Sequence, residues 1–309
     1  MNKVAFSDAA QALALRAVVG FIRRRTPAGA SRLGGGIARW IGPWLPTSRV
    51  AAQNLRMAMP ELGAAQHKRI IAEAWENLGA TAAELMVLGD LRESATGPGY
   101  EMIGWDEHVA PVLAKGGPSI SFTAHIGNWE IIPPAAFARG VDIGFMYRAA
   151  SNRHVDALIL RLREANFGRK ISMFPKGAVG ARQAYAHLVR GGHLAMLVDQ
   201  KLDNGIAVPF FGRPAMTTQA MAAFALRFRC PVLPMHVVRV GPARLQVIFE
   251  PPMALPDTGD KEADILTLTT QMNAVLERWI REKPGAWLWL HRRWPKACYQ
   301  SADHNNSGG

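Results

Sequence analysis

From residue 100 onward the chain alternates short β-rich runs with helical stretches, and this alternation limits the fold more than any other feature. Runs at 100–103, 118–124, 141–147, 171–174, 193–198, 231–239 and 244–249 read as strands. Asp106–Lys115, Ser151–Asn166, 178–190 and the stretch from Thr217 or Thr218 to Arg229 read as helices. Gly116-Gly117, Gly168 and Gly191-Gly192 close three of them, and Ser151 is placed to cap one. Gly241-Pro242 predicts a turn between the last two strands, and an amphipathic helix spans about 260–282. The expectation is an α/β core with a mixed central sheet flanked by helices.

The first 95 residues read differently. Helical pieces lie between Pro27, Gly34-Gly35-Gly36, Pro43 and Pro46, and a clearer helix runs from about Ala64 to Leu88. The loop Ser94-Ala-Thr-Gly-Pro-Gly99 ends this part. We therefore divide the chain into a helical N-terminal, membrane-associating region (1–95), an α/β core (96–300) and a loose polar tail (301–309). The membrane assignment rests on Ala9–Ile22, an apolar segment interrupted by Arg16 and followed by Arg23-Arg24-Arg25. It falls short of the ~20 unbroken apolar residues of a span, and suits a helix lying on, or dipping into, a cytoplasmic membrane face.

Charge narrows the partners. With 49% hydrophobic and 19% charged residues the chain has material for a large core, and its formal net charge is +12. Such a balance favours an acidic partner: a nucleic acid, an anionic membrane, an acidic carrier protein or a phosphorylated substrate. No nucleic-acid-binding module is recognisable, which sets nucleic acid aside. Cys230 and Cys298 have no metal-type spacing and read as reduced thiols. Phosphate-binding G-x-x-x-x-G-K-[ST], G-x-S-x-G and H-E-x-x-H patterns are all missing, which argues against nucleotide hydrolysis, elbow-type serine hydrolysis and zinc proteolysis.

The chemistry points to Ser119-Ile-Ser-Phe-Thr-Ala-His125-Ile-Gly-Asn-Trp-Glu130. A strand ends near His125, Gly127-Asn128 bends the chain, and Glu130 falls in the first turn of a helix, where Pro133-Pro134 is still tolerated. An imidazole and a carboxylate then sit at the carboxyl end of a strand, as a general base and its orienting group require. Two further strands end on Arg148, suited to an oxyanion or phosphate, and on Asp199, which competes with Glu130 for the imidazole. Phe210-Phe211-Gly212 is a candidate wall for a long apolar group, and Asn128 belongs to the His125 turn. Arg161, Arg163, Arg169, Lys170 and Lys176 form a basic zone, from which Arg161 and Lys176 are the candidates for holding an anionic group.

His125-Ile-Gly-Asn-Trp-Glu130 resembles the H-x-x-x-x-D/E signature of glycerolipid acyltransferases. Its Gly-Asn-Trp-Glu ending is similar to that of the late acyltransferases of lipid A biosynthesis, the lauroyl and myristoyl transferases. The similarity continues in order through Tyr147-Arg148, Val198-Asp199-Gln200, Val208–Gly212 and Trp287-Leu-Trp-Leu-His-Arg-Arg-Trp294. It implies transfer of a fatty acyl chain from an acyl carrier protein thioester to a hydroxyl of a lipid A precursor at the cytoplasmic face of the bacterial inner membrane. His125 would be the base, Glu130 its holder, Arg148 the oxyanion or phosphate contact and Asp199 a support. No metal or other cofactor is implied, because a thioester is already activated. A coenzyme A donor with another glycolipid acceptor is the alternative within the same fold. Family members usually carry a clearer N-terminal transmembrane helix than Ala9–Ile22 provides.

Overall fold

The structure, a computed structural model, describes residues 16–147, 153–168 and 171–300. Helix α1, described over residues 16–22, precedes α2 (Pro27–Ile41), α3 (Thr47–Ala58) and α4 (Ala64–Leu85). Thr26 caps α2 by accepting from the Gly29 amide, and Pro27 occupies its first position. No helix among the described residues is long and apolar enough to cross a membrane.

The alternating part follows. Strand β1 (Gly99–Ile103) leads through a wide helical turn at Trp105–Val109 into α5 (Ala110–Ala114). Then come β2 (Ser119–Thr123), α6 (Ile132–Ala138), β3 (Ile143–Tyr147), α7 (Arg153–Phe167), β4 (Met173–Pro175), α8 (Ala178–Val189) and β5 (His193–Leu197). A two-stranded antiparallel ribbon, β6 (Ile206–Phe210) and β7 (Arg213–Thr217), stands apart. Helix α9 (Ala220–Phe228), β8 (Val232–Gly241), β9 (Arg244–Phe249) and α10 (Lys261–Glu282) complete the core. The α10 N-terminus is capped by Asp260, which accepts from the Glu262 and Ala263 amides.

The seven-stranded sheet has the order β1-β9-β8-β2-β5-β3-β4. It is mixed, as expected from the sequence: β8, β2, β5, β3 and β4 run parallel, while β9 returns antiparallel on β8 and carries β1 parallel beside it. Strand β2 is buried along its whole length and lies at the centre, between β8 and β5. Its Ile120 and Phe122 join a cluster that also takes Leu55 from α3, Ile70 and Ala74 from α4, and Leu276 and Trp279 from α10. The N-terminal helices therefore share a core with the sheet, on one face of it. Ile131 and Ile132, beside the loop after β2, pack on the other face with Leu233, Val237 and Val247.

Candidate active site

The site is built by two neighbouring parallel strands that stop level with each other. Thr123 at the end of β2 pairs with Leu197 at the end of β5, and the Val198 amide donates to the Thr123 carbonyl at 3.1 Å, carrying the ladder one step further. Two residues past each strand end stand His125 and Asp199. The His125 Nδ1–H donates to Asp199 Oδ1 at 2.8 Å, and the His125 backbone amide donates to Oδ2 at 3.0 Å. Trp287 Nε1 donates to the same Oδ2 at 2.8 Å. Asp199 is fully buried among these donors.

The electrostatics follow from that geometry. Burial pushes the Asp199 carboxyl up, but the charge and hydrogen bonds of His125 outweigh it and hold the group well below the usual carboxylate range. For His125, burial is the largest single influence and works downward. The Asp199 charge, its hydrogen bond and the more distant Glu130 charge together carry the imidazole above its ordinary value. An ionised carboxylate only accepts hydrogen bonds, so Nδ1 carries a proton, and in the neutral form of the ring the lone pair is on Nε2. The Trp129 ring packs edge-on against the imidazole with centroids 4.9 Å apart. The arrangement is one that can orient an imidazole and stabilise its protonated form from behind.

The turn after His125 is fixed from two sides. Gly127 adopts φ +59°, and a Cβ there would sit 2.0 Å from the Val237 carbonyl oxygen of β8. Only glycine combines that conformation with that approach. The Gly127 carbonyl accepts from Asn77 Nδ2 (2.9 Å) and Thr81 Oγ1 (3.1 Å) of α4, and its amide donates to the Ala286 carbonyl at 3.1 Å. The Leu288 amide donates to the His125 carbonyl at 3.0 Å. The aromatic-basic segment is anchored in turn by Asn54 of α3, whose Nδ2 donates to the carbonyls of Trp289 (2.7 Å) and His291 (2.8 Å).

Several expected residues take places other than those read from the sequence. Glu130 lies in the turn Trp129–Ile131 that opens α6, but it does not hold the imidazole. It forms a two-pronged ion pair with Arg163 of α7, at 2.9 Å to Nε and 2.6 Å to the terminal nitrogen, while Asp199 occupies the position beside Nδ1. The strand register decides this, because it brings residue 199, not residue 130, level with the ring. Asn128 is fully buried; its Oδ1 accepts from the Glu130 amide and its Nδ2 donates to Glu84 at 2.6 Å. It shapes the turn and faces no open space. Phe210, Phe211 and Gly212 form the tip of the β6–β7 ribbon, with Phe211 and Gly212 both at positive φ. Phe210 packs against Trp287 and Trp294, and Phe211 against Trp289, so these rings belong to the core, and neither lines the cavity described below. Arg161 is exposed on α7, Lys176 is exposed just after β4, and Arg148 lies outside the described residues.

A mostly apolar cavity adjoins the loop. Thr123, Trp129, Phe145, Met146, Phe167 and Met196 line it, and the Glu130–Arg163 pair lies in its wall. Its walls come from β2, β3, β5 and α7, elements whose sequence distances hide their proximity. Arg163 was legible only as one of several basic residues, and nothing local marks Trp287, Asn77 or Thr81 as supports of the site. Among the described residues no group of three or more His, Cys, Asp or Glu side chains is placed to hold a metal ion.

The family model for bacterial lipid A biosynthesis acyltransferases matches residues 10–296. The chain belongs to that family. It is therefore an acyltransferase of lipid A biosynthesis, and its match spans the N-terminal helices as well as the sheet. No individual curated protein matches the chain significantly. In this acyltransferase the histidine and carboxylate of the H-x-x-x-x-E block are both at the carboxyl end of β2, but they serve two different hydrogen-bonded pairs.

Proposed function

We propose that the protein moves a fatty acyl chain from an acyl carrier protein thioester to a hydroxyl of a lipid A precursor, with His125 as general base. The observation that carries this reading is the His125–Asp199 pair, an imidazole held by a buried carboxylate at the end of two central strands. Nε2 removes the acceptor's hydroxyl proton as its oxygen attacks the thioester carbonyl. The resulting imidazolium, stabilised by Asp199, returns that proton to the departing thiolate. Proton transfer by a positioned base is worth roughly 10²–10⁴ in rate. The apolar cavity beside Trp129 suits the hydrocarbon chain, and the cations at Arg148 and Arg163 suit the developing oxyanion or an acceptor phosphate. Arg161 and Lys176, both exposed, suit the acidic carrier or the anionic acceptor. A lipid acceptor and the basic charge support a reaction at the cytoplasmic face of an anionic inner membrane, with the protein peripheral or monotopic through its N-terminal helix.

The test is a mass-spectrometric transfer assay on purified protein, offering acyl carrier protein and coenzyme A thioesters of several lengths with a tetra-acylated lipid A precursor. One added acyl mass from the carrier thioester, abolished in a folded His125→Ala variant, is the expected result. Transfer that survives His125→Ala would remove the general-base role. Transfer only from coenzyme A, or only to another glycolipid, would replace the proposed donor or acceptor.

A further inference from the structure

Helix α2 is packed the opposite way from a helix of an ordinary soluble surface. Its small residues face inward: Ala30, Gly34, Gly35 and Ala38 lie against Gly79, Ala80 and Ala83 of α4. The backbones meet so closely that a Cβ on Gly34 would lie 2.4 Å from the Gly79 carbonyl oxygen, and one on Gly79 would lie 2.3 Å from that of Gly34. Its bulky apolar residues face outward. Ile37, Trp40 and Ile41, with Trp44 and Leu45 just beyond the helix, are exposed, Trp40 at 77% and Trp44 at 86%. Positions 37, 40, 41 and 44 follow helical spacing, so they form one face.

This face is the main apolar exposure of the described chain. Five of the thirteen exposed large hydrophobic residues among the described residues, Ile37, Trp40, Ile41, Trp44 and Leu45, fall within nine positions of the chain. Scattered exposed apolar residues need no explanation, but a contiguous set with two tryptophans does. The corner that presents Trp44 is held in place, because Ser48 Oγ donates to the Gly42 carbonyl and accepts from Trp75 Nε1, both at 2.8 Å. The charge carried by this stretch of chain has one sign. Residues 16–60 contain eight arginines and no aspartate or glutamate. Among the described residues, Arg39 is the one of these offset by an ion pair, to Glu76 of α4.

From this surface we infer that α2 and the Trp40–Leu45 corner form a second membrane-docking face, which seats its tryptophans at the headgroup level of an anionic bilayer. It is distinct from the segment Ala9–Ile22. Tryptophan prefers the membrane interface, where its ring is half in apolar surroundings and its N–H stays wet. Arginines around it meet anionic headgroups. Helices with small residues at the protein contact and bulky apolar residues outside are what a lipid environment selects. The inference rests on the reading of a membrane-lipid acceptor only for its biological sense, since lipid binding is measurable without either substrate.

The experiment is flotation of the full-length protein with vesicles of phosphatidylglycerol and phosphatidylcholine, or of phosphatidylcholine alone, alongside quenching of tryptophan fluorescence by brominated acyl chains. Trp40→Ser/Trp44→Ser should reduce binding to the anionic vesicles by roughly tenfold or more, given the apolar area removed from lipid. Thermal melts should match the wild type, because both residues are exposed. Trp40→Phe/Trp44→Phe should keep most of the binding but lose most of the quenching. Transfer to an acceptor dispersed in detergent should be unchanged in both variants, so loss of docking is separable from loss of chemistry. Undiminished binding of the serine variant, or undiminished quenching in the phenylalanine variant, would overturn the inference. So would dimerisation in solution that the serine variant abolishes, because a second copy would then be the occupant of this face.

Discussion

His125 and Asp199 are separated by 74 residues, the same offset that relates every paired position of β2 and β5 from Ser119–His193 to Thr123–Leu197. The proposed catalytic pair is the parallel register continued two steps beyond the sheet. No loop has to find its partner; the ladder sets both the distance and the orientation. A slip of one residue between β2 and β5 would turn one of the two side chains to the opposite face.

That relationship ranks the two carboxylates. Below its pKa the His125 ring is protonated and accepts no proton, so kcat/KM falls on the acid side. Asp199 raises that pKa more than Glu130 does. Asp199→Asn should therefore lower kcat on the order of 10³-fold or more and move the acid limb of the pH profile to lower pH. Glu130→Gln should move the limb in the same direction by a smaller amount and leave more activity. Measuring kcat/KM against pH for both variants checks this, and a larger effect from Glu130→Gln would reverse the assignment.

Glu130 and Arg163 form a pair that is largely, but not wholly, withdrawn from water. Removing one partner leaves the other charge stranded, and a fully buried pair loses roughly 3–5 kcal/mol when broken this way. Arg163 keeps some exposure, so Arg163→Met and Glu130→Met should each cost less, about 2–3 kcal/mol. The double Met variant should recover much of the loss, as apolar replacement of a buried pair often does. Urea unfolding of the four-protein cycle measures the coupling; additive losses would show that the pair is electrostatically idle.

How much of this was legible in the sequence depends on the range of the forces involved. The β2–turn–α6 unit was readable because its determinants are local: β-rich residues, then Gly127 at positive φ, then prolines confined to the first turn of α6. Most strands and helices were placed within a few residues for the same reason. The partner of His125 was not readable, since Asp199 and Glu130 both end near it and only the order of strands in the sheet chooses between them. The ion pair of Glu130 with Arg163 spans 33 residues and depends on how α7 crosses the sheet, which no local pattern encodes. Phe210 and Phe211 were ambiguous for a related reason. An apolar, glycine-punctuated run has the same appearance whether it lines a cavity or packs under tryptophans supplied from residues 287–294.

Gly127 gives a sharp local test. Gly127→Ala combines a left-handed backbone with a Cβ 2.0 Å from the Val237 carbonyl, so the loop or β8 has to move. Strain of this kind costs roughly 1–3 kcal/mol for the conformation and a similar amount for the overlap. The variant should lose about 2–5 kcal/mol in urea unfolding. Its kcat should fall further than its stability requires, because the displaced turn carries His125 with it. A variant of unchanged stability and kcat would show that the turn is softer than its contacts imply.

The last prediction concerns Glu84, a fully buried carboxylate that lies away from the reacting groups and still shapes them. It accepts from Asn128 Nδ2 at 2.6 Å and pairs with Arg239 of β8. The Arg239 guanidinium donates also to Thr81 and Asn77, the two residues that hold the Gly127 carbonyl. One buried charge pair thus ties α4, β8 and the turn after His125 together. Glu84→Gln keeps an acceptor for Asn128 but leaves the Arg239 charge without a counter-ion, whereas Glu84→Ala removes both. Stability should fall by about 3–5 kcal/mol in each, since the stranded cation is common to the two. Activity should separate them: Glu84→Gln retains the turn and most of kcat, while Glu84→Ala frees Asn128 and loses at least tenfold more. Hydrogen exchange should show the same order, with the Glu130 amide, which donates to Asn128 Oδ1, opening faster in Glu84→Ala. Equal kcat in the two variants would mean that Asn128 does not depend on Glu84 for its place.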